Sequence, residues 1–460
     1  MAEVHLDKSR QTIKLGLALV TKRMFPEEDL KVAYAIMEGV FCKFNDTAIS
    51  VREVRQIEIK LKEWIHSNPV IEFLEREGGY HHYMVDGEVL KMLYPCETSV
   101  ENIEHFNLIP YEDGFILDFE EDRSADEELI LPDKLSATYD KTHKWLKNIK
   151  LEMLRDVNRY IATGATNKLI GMAEALHEKE VSNIADMILE RKKILRVLLI
   201  SGASSSGKTS FAQRLSTQLN VNGLNPVTLS MDDYFVNREN TPLDEDGEYD
   251  FDCLEALELP YLQQHLEQLI NGETVETPIF DFVTGQRTKR TRKLSVGENE
   301  ILIVEGIHAL NPALFPNINR NVLFKIYMTA LYELNIDLLN RIPSSEVRMI
   351  RRIVRGDRFR GTHPEETLDQ WRNMRRGEFK NIFKFQEEAD IMFNSSLIYE
   401  INALRPFAEE SLSKIDDDGP YGKVKERLLS MISFAEPMDT TKVPFNSLLR
   451  EFIGGSIYFD

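Results

Sequence analysis

Cysteine is scarce, with three in 460 residues: Cys42, Cys96 and Cys253, far apart and without metal-ligand spacing. That excludes a disulfide framework and a cysteine-built zinc finger, and it fits a reducing cytoplasm. Long apolar runs are missing too; none approaches the ~18–20 residues a membrane helix needs. The first residues, Met-Ala-Glu-Val-His-Leu-Asp-Lys, lack the basic and then apolar stretches of a secretion signal, so a cytoplasmic location is expected. Positive charge is in short supply. Lys and Arg number 56 against 76 Asp and Glu, a net charge of −20 that repels a phosphodiester backbone and disfavours nucleic acid as a partner. No repeat at solenoid periods and no long low-complexity tract is present. What remains is an ordinary soluble composition, 42% hydrophobic and 29% charged, long enough for two or three domains.

Residues Glu120, Glu121, Asp122, Asp126, Glu127 and Glu128 crowd one short stretch relieved only by Arg123. Like charges at that density do not pack, so a solvated linker or exposed loop is expected there. Upstream, Ser9 to Arg23 is ambiguous. Ile13, Leu17, Val20 and Met24 fit a helix face, whereas Ile13, Leu15, Leu17 and Leu19 alternate as in a strand; helix is preferred. Lys31 to Phe44 reads as short strands broken at Gly39, and Val51 to Ile65 as a helix stopped by Asn68-Pro69. Asn167 to Lys192 reads as a long amphipathic helix feeding the buried-strand run Leu195 to Ile200. Strands and helices then alternate to about Leu404, the pattern of an α/β domain with a mostly parallel sheet. The tail beyond Pro406 reads as helical, with a turn at Gly454-Gly455.

The sharpest motif is Gly202-Ala203-Ser204-Ser205-Ser206-Gly207-Lys208-Thr209, which fits G-x-x-x-x-G-K-[ST] between a buried strand and a helix continuing through Ser210. Glycines let backbone N–H groups turn toward a phosphate, and the helix N-terminus adds its positive dipole end. Lys208 is the expected charge partner of the β- and γ-phosphates, and the Thr209 hydroxyl an expected Mg2+ ligand. Glu305 ends the apolar run Ile301 to Val304, where a carboxylate can reach the metal shell. A water-activating Asp-Glu pair is missing there, and no Asn-Lys-x-Asp guanine reader exists, so phosphoryl transfer to a small acceptor gains over ATPase or GTPase action. A strand from Pro226 to Leu229 would deliver Asp232 to the same edge, as a base for an attacking hydroxyl. Arg348, Arg351, Arg352 and Arg355 share one helical stripe opposite Val347, Ile350 and Val354, with Arg358 and Arg360 beyond. Glu346 and Asp357 are too few to neutralise that stripe, so it reads as a clamp for a polyphosphate, weighed against a surface ion-pair network.

These motifs, with Asp250-Phe251-Asp252, Pro278 to Phe282 and Glu305-Gly306-Ile307, follow in the order of the uridine kinase/phosphoribulokinase family, which the chain resembles from about Leu195 to Leu404. The resemblance implies a P-loop kinase domain with a helical lid, using ATP and Mg2+ to phosphorylate a nucleoside or sugar hydroxyl. It makes Asp232 the general base and a metal neighbour, Asp252 the ribose-diol carboxylate, and Arg348 and Arg351 lid arginines. Arg348 also enters the substrate set, and Arg352 and Arg355 join Gly202 to Ser210 in the nucleotide set. Where the family's pyrimidine-reading tyrosine and histidine would stand, this chain has Phe280 and Gly285, which implies looser base recognition.

A bacterial nucleoside-kinase subgroup is similar also at Leu243 to Asp250 and at Leu449 to Gly455, and carries a front segment akin to threonyl-tRNA synthetase. Leu15 to Phe73 resembles that synthetase's editing-type domain but has neither H-x-x-x-H nor C-x-x-x-H, so a smaller α+β appendage without its own chemistry is expected. The expected boundaries are 1–118 for this appendage, 119–193 for an acidic linker and helical connector, 194–405 for the kinase and 406–460 for a helical extension. Two alternatives stay open, a phosphorylated-sugar acceptor and a non-catalytic ATP-binding regulator. A homo-oligomer is also left open.

Overall fold

The structure, a computed structural model, describes residues 7–458 except 37–38, 46, 102, 104, 120–130, 245 and 283. The acidic stretch of residues 120–128 therefore lies outside the described residues. The chain forms two compact units, each assembled from three stretches: Met1–Thr166, Leu331–Ile350 and Ile401–Met438, and then Asn167–Ala330, Arg351–Glu400 and Asp439–Asp460. Among the described residues no helix is long and apolar enough to cross a membrane.

The first unit opens on α1 (Lys8–Met24), β1 (Leu30–Ile36), β2 (Gly39–Phe44) and α2 (Val51–His66). The double pattern in α1 has a simple cause: Ile13, Leu15, Leu17, Leu19 and Val20 are all buried, so the helix is enclosed on every side. Gly16 permits this enclosure, because a Cβ there would lie 2.2 Å from the Trp64 ring of α2. Ser50 and Glu53 form a capping box that starts α2. Then come β3 (Ile71–Glu77), β4 (Tyr80–Val85), β5 (Glu88–Met92), β6 (Asn107–Tyr111), β7 (Gly114–Asp118), α3 (Asp133–Ile149) and α4 (Leu154–Ala162). The strands make two antiparallel sheets, ordered β1-β2-β7-β6 and β3-β4-β5.

Two buried asparagines stitch the stretch Leu331–Ile350 to this front part. Asn335 donates from Nδ2 to Val32 O at 2.8 Å, and Asn340 donates to Lys91 O at 2.9 Å while accepting from Leu93 N–H at 2.7 Å. The tail differs from its reading in one respect: its first helix, Glu400–Leu412, carries Pro406 inside rather than starting after it. A proline leaves the carbonyl four residues earlier without its helical donor. Here that carbonyl, Asn402 O, accepts from Met438 N–H at 3.1 Å instead.

The second unit contains α5 (Thr166–Glu190), β8 (Val197–Gly202), α6 (Lys208–Val221), β9 (Asn225–Ser230), α7 (Leu259–Ile270), β10 (Val275–Asp281), β11 (Gln286–Leu294), β12 (Glu300–Glu305), β13 (Leu323–Thr329), α8 (Ser344–Phe359, entering this unit at Arg351), α9 (Pro364–Asn381) and β14 (Ile391–Asn394). Five strands, β14-β13-β8-β12-β9, pair throughout in parallel, and β10 and β11 form a separate hairpin. Parallel strands covered on both faces need continuous apolar runs, and β8 is buried at every residue. Its core includes Ile184 and Ile188 of α5, Phe211 and Leu215 of α6, and Leu198, Ile303 and Ile326 of the sheet. Register brings Ile200, Glu305 and Ser230 level across β8, β12 and β9, so whatever follows each strand emerges at one edge.

The stitching predicts a stability cost. Asn340→Ala leaves the Leu93 N–H and the Lys91 carbonyl without their buried partner, and each such group costs ~1–3 kcal/mol. Urea unfolding followed by circular dichroism should show the first unit melting earlier, whereas exposed Asn222→Ala in the second unit should leave that transition in place.

Candidate functional site

The loop between β8 and α6 has the backbone that its residue types demand. Gly202 (φ +156°) passes so close to β13 that a Cβ would lie 2.4 Å from Met328 O, and Gly207 (φ +83°) starts α6 from the left-handed region. Ser205 adopts φ +59° although it is not glycine, a conformation that carries a cost and is met in ligand-holding loops. The Lys208 ammonium folds back onto the loop, donating to Gly202 O at 2.9 Å and Ala203 O at 3.1 Å. Ser206 is fully buried, and its hydroxyl has no hydrogen-bond partner among the described residues. A buried orphan hydroxyl in the loop that leads into a helix N-terminus suits a phosphate oxygen.

Level with this loop sit the acids. The Thr209 hydroxyl lies 3.3 Å from Glu305 Oε2. Glu305 is 8% exposed, and burial followed by the charge of Asp232 pushes its carboxyl up to about 7. Burial likewise raises Asp232, opposed by Lys208 and Arg360, and lowers Lys208. Its neighbour Asp233 is committed elsewhere. It accepts from Phe280 N–H at 3.2 Å and from Arg292 at 3.3 Å, tying this turn to the β10–β11 hairpin. Thr209, Glu305 and Asp232 thus offer a hydroxyl and two carboxylates, the hard oxygen donors that Mg2+ prefers.

The arginine stripe is divided by its surroundings. Val347, Ile350 and Val354 are buried as expected, but so are Arg348 and Arg351, at 5% and 2% exposure. Arg348 belongs to the first unit. Arg351 differs from the lid role that the resemblance implies, because its guanidinium is spent inside the fold. It pairs with both oxygens of Glu400, Nη2 to Oε2 at 2.7 Å, and donates to Ser205 O at 3.1 Å and to Ser395. Arg352 reaches the Ser204 hydroxyl at 2.8 Å and Arg355 reaches Ser205 Oγ at 3.2 Å, so these two meet the loop at its serine side chains. The neutralising acids that seemed missing near the helix come from afar. Glu400 serves Arg351, Glu451 serves Arg355 at 2.6 Å, and fully buried Glu378 accepts from Ser204 N–H at 3.3 Å and from Arg375 at 2.6 Å. Of these, Glu451 sat in the quoted segment Leu449 to Gly455, whereas Glu378 and Glu400 stood in no quoted motif.

On the acceptor side, Asp252 packs against α9, where Gly377 leaves room; a Cβ there would lie 2.5 Å from Asp252 Cβ. Burial and then the Glu378 charge push its carboxyl up to about 7. Phe280 joins Phe235 and Phe282, with ring centroids 5.9 Å and 5.2 Å from its own. Gly285 (φ +67°) is covered by Arg238, whose Nε lies 2.7 Å from where a Cβ would stand. Arg238 also donates to Phe282 O at 3.2 Å. It was missed because nothing in the spacing of 238 and 285 announces their contact.

The chain matches the family model described as "Phosphoribulokinase / Uridine kinase family" over residues 197–400. It is 31% identical to a uridine kinase from Mycoplasma genitalium over 186 residues, 40% of this chain and 77% of that protein. It is 29% identical to a uridine kinase from Macrococcus caseolyticus over 175 residues, 38% of this chain and 75% of that one. A solved D-glycerate 3-kinase from Cryptococcus neoformans var. grubii is similar at 16% identity and a TM-score of 0.31, over 45% of this chain and 89% of its own. With its complete phosphate loop, Asp232 after β9 and Glu305 closing β12, this chain belongs to the phosphoribulokinase/uridine kinase family of kinases.

Proposed function

We propose that this kinase transfers the terminal phosphoryl group of ATP to the 5′-hydroxyl of a nucleoside. The observation that carries the reading is the common sheet edge at which Lys208, Thr209, Asp232 and Glu305 meet. Lys208, now held by loop carbonyls, would turn to the β- and γ-phosphates. Ser206 and the loop N–H groups would take phosphate oxygens, with Arg352 and Arg355 beside them. Arg351 would hold the loop from within, through Ser205 O, rather than touch the phosphate. Thr209, Glu305 and Asp232 would hold Mg2+, which, when bound, supplies positive charge to the phosphate oxygens. Asp232 would accept the proton of the attacking hydroxyl, since burial keeps its carboxylate basic and Asp233 is occupied by the hairpin. Asp252 would accept hydrogen bonds from a ribose diol, and the Phe235–Phe280–Phe282 cluster would stack on the base. Residues 1–118, a part of the first unit, are proposed as a threonyl-tRNA-synthetase-editing-like appendage without a reaction of its own. A second reading draws on Arg238: a guanidinium over Gly285 would suit a phosphorylated sugar better than a neutral pyrimidine.

The acceptor panel decides between them: kcat/KM for uridine, cytidine, inosine, adenosine, 2′-deoxyuridine and ribulose 5-phosphate. Stacking without a hydrogen-bonding base reader discriminates only ~10–200-fold, so ribonucleosides should be used within that span and the deoxynucleoside poorly. Preference for the sugar phosphate over every nucleoside would replace the first reading by the second.

Asp232→Asn should lower kcat by ~100-fold or more with nucleotide affinity little changed, in steady-state ADP release. Asp233→Asn should be the milder change, and the reverse order would move the base by one residue.

Because the Asp252 carboxyl sits near 7 rather than at its usual acidic value, it is protonated below that pH and able to accept from a diol above it. The acceptor's kcat/KM should therefore climb with pH up to about 7 and then level. In Asp252→Asn the acceptor KM should rise and the part of this climb due to Asp252 disappear, which the pH profile of the variant reads directly.

A further inference from the structure

Residues Asp439–Asp460 lie beyond the stretch that matches the family, residues 197–400, yet they are part of the second compact unit. Their short helix, Arg450–Ile453, sets Phe452 under two guanidiniums, with Arg351 5.0 Å and Arg355 5.6 Å from the ring centroid. Leu448 comes within 3.7 Å of where a Cβ of Gly207 would stand. Between these contacts Glu451 enters the phosphate-loop region. One carboxylate oxygen accepts from the Ser210 hydroxyl at 2.7 Å and the other from Arg355 Nη1 at 2.6 Å. The side chains of Arg355 and Glu451 are only about a tenth exposed.

The charge around this carboxylate explains what it does. Arg355 also contacts Ser205 Oγ, Arg352 contacts Ser204 Oγ, and Arg360 stands close enough that Arg355 is the main cause of its lowering to about 10. Three guanidiniums beside an anion-binding loop call for a counter-charge when the loop holds no phosphate, and Glu451 is a carboxylate that supplies one. Its field reaches Lys208 and Glu305 as well. A nucleotide's phosphates would compete for the same donors and would be repelled by the carboxylate next to them.

We propose that Glu451 is an internal counter-anion of the phosphate site, which neutralises Arg355, accepts a hydrogen bond from Ser210 and must yield Arg355 to an entering nucleotide. Glu451 thereby sets the nucleotide affinity and hastens release of the ADP product. It acts through Arg355 and Ser210, as a positioning residue. The inference rests on the loop binding nucleotide, not on the identity of the acceptor.

The physical signature is an affinity that improves on mutation. Removing one partner of a buried ion pair costs the empty protein stability by leaving the other charge unpaired, and a bound polyphosphate relieves that cost. Glu451→Gln should therefore melt earlier than wild type without ligand. It should also bind MgADP about 5- to 10-fold more tightly by titration calorimetry, as expected if the carboxylate occupies Arg355 in most empty molecules. Glu451→Asp, which keeps the charge, should stay near wild-type affinity, and Phe452→Leu, which loosens the packing but keeps the carboxylate, should not tighten binding. In the wild-type chain, MgADP should speed hydrogen exchange at the backbone amides of residues 448–453. Unchanged or weaker MgADP binding by Glu451→Gln, or slowed exchange there in the wild type, overturns the proposal. If the wild-type chain bound no MgADP at all, the kinase reading would fall with it; if it binds and Glu451→Gln does not tighten, this inference falls alone.

Discussion

The second unit depends on the ion pair that Arg351 makes with Glu400. Both side chains are buried, at 2% and 0% exposure, where an unpaired charge would cost several kcal/mol. The remaining donors of Arg351 reach Ser205 O in the phosphate loop and both the hydroxyl and the carbonyl of Ser395, just after β14. One planar guanidinium therefore joins α8, the loop, the far edge of the sheet and the start of the following helix. Ser205, which it holds, is the residue at φ +59°. An unfavourable backbone conformation persists when its neighbours over-determine it, and Arg351 is one of those neighbours.

With the loop held, the next constraint is electrostatic. Three parallel strands end level, so the groups that follow them are forced together: Lys208 and Thr209 after β8, Asp232 after β9, and Glu305 closing β12. The crowding is visible in the acids. Glu305 and Asp252 both sit near 7, the first through burial and Asp232, the second through burial and Glu378. Carboxylates crowded in this way favour the arrival of cations, and the guanidiniums of Arg352 and Arg355, in contact with Ser204 and Ser205 of the loop, favour anions. A metal-bound nucleotide, as proposed above, would satisfy both needs at once.

The phosphate loop was fully legible because its chemistry is local: eight consecutive residues, a buried strand before them and a helix after them. Asp232 and Glu305 were legible for a related reason, since a short distance past an apolar run is enough to place a group at a parallel sheet's edge. The arginines were half legible. Helical spacing put Arg351, Arg352 and Arg355 on one stripe, but spacing does not say which of them meets an acid from a remote part of the chain. In α1 the apolar pattern fitted two periods at once because enclosure on all sides removes the polar face that would have chosen between them.

By itself, then, the sequence determined the phosphate loop and the strand-ending acids, which follow from patterns within a dozen or so neighbouring residues, and the parallel sheet and the kinase family, which follow from the order of such patterns along the chain. Tertiary structure alone decided that Arg351 is an internal tie, that Arg238 covers Gly285, and that Glu451 reaches Ser210 and Arg355. It alone decided that each compact unit is gathered from three separate stretches. Those outcomes depend on contacts between residues tens to hundreds of positions apart. Such contacts are chosen by burial and by charge pairing in the folded chain, and they leave no periodicity or spacing along it.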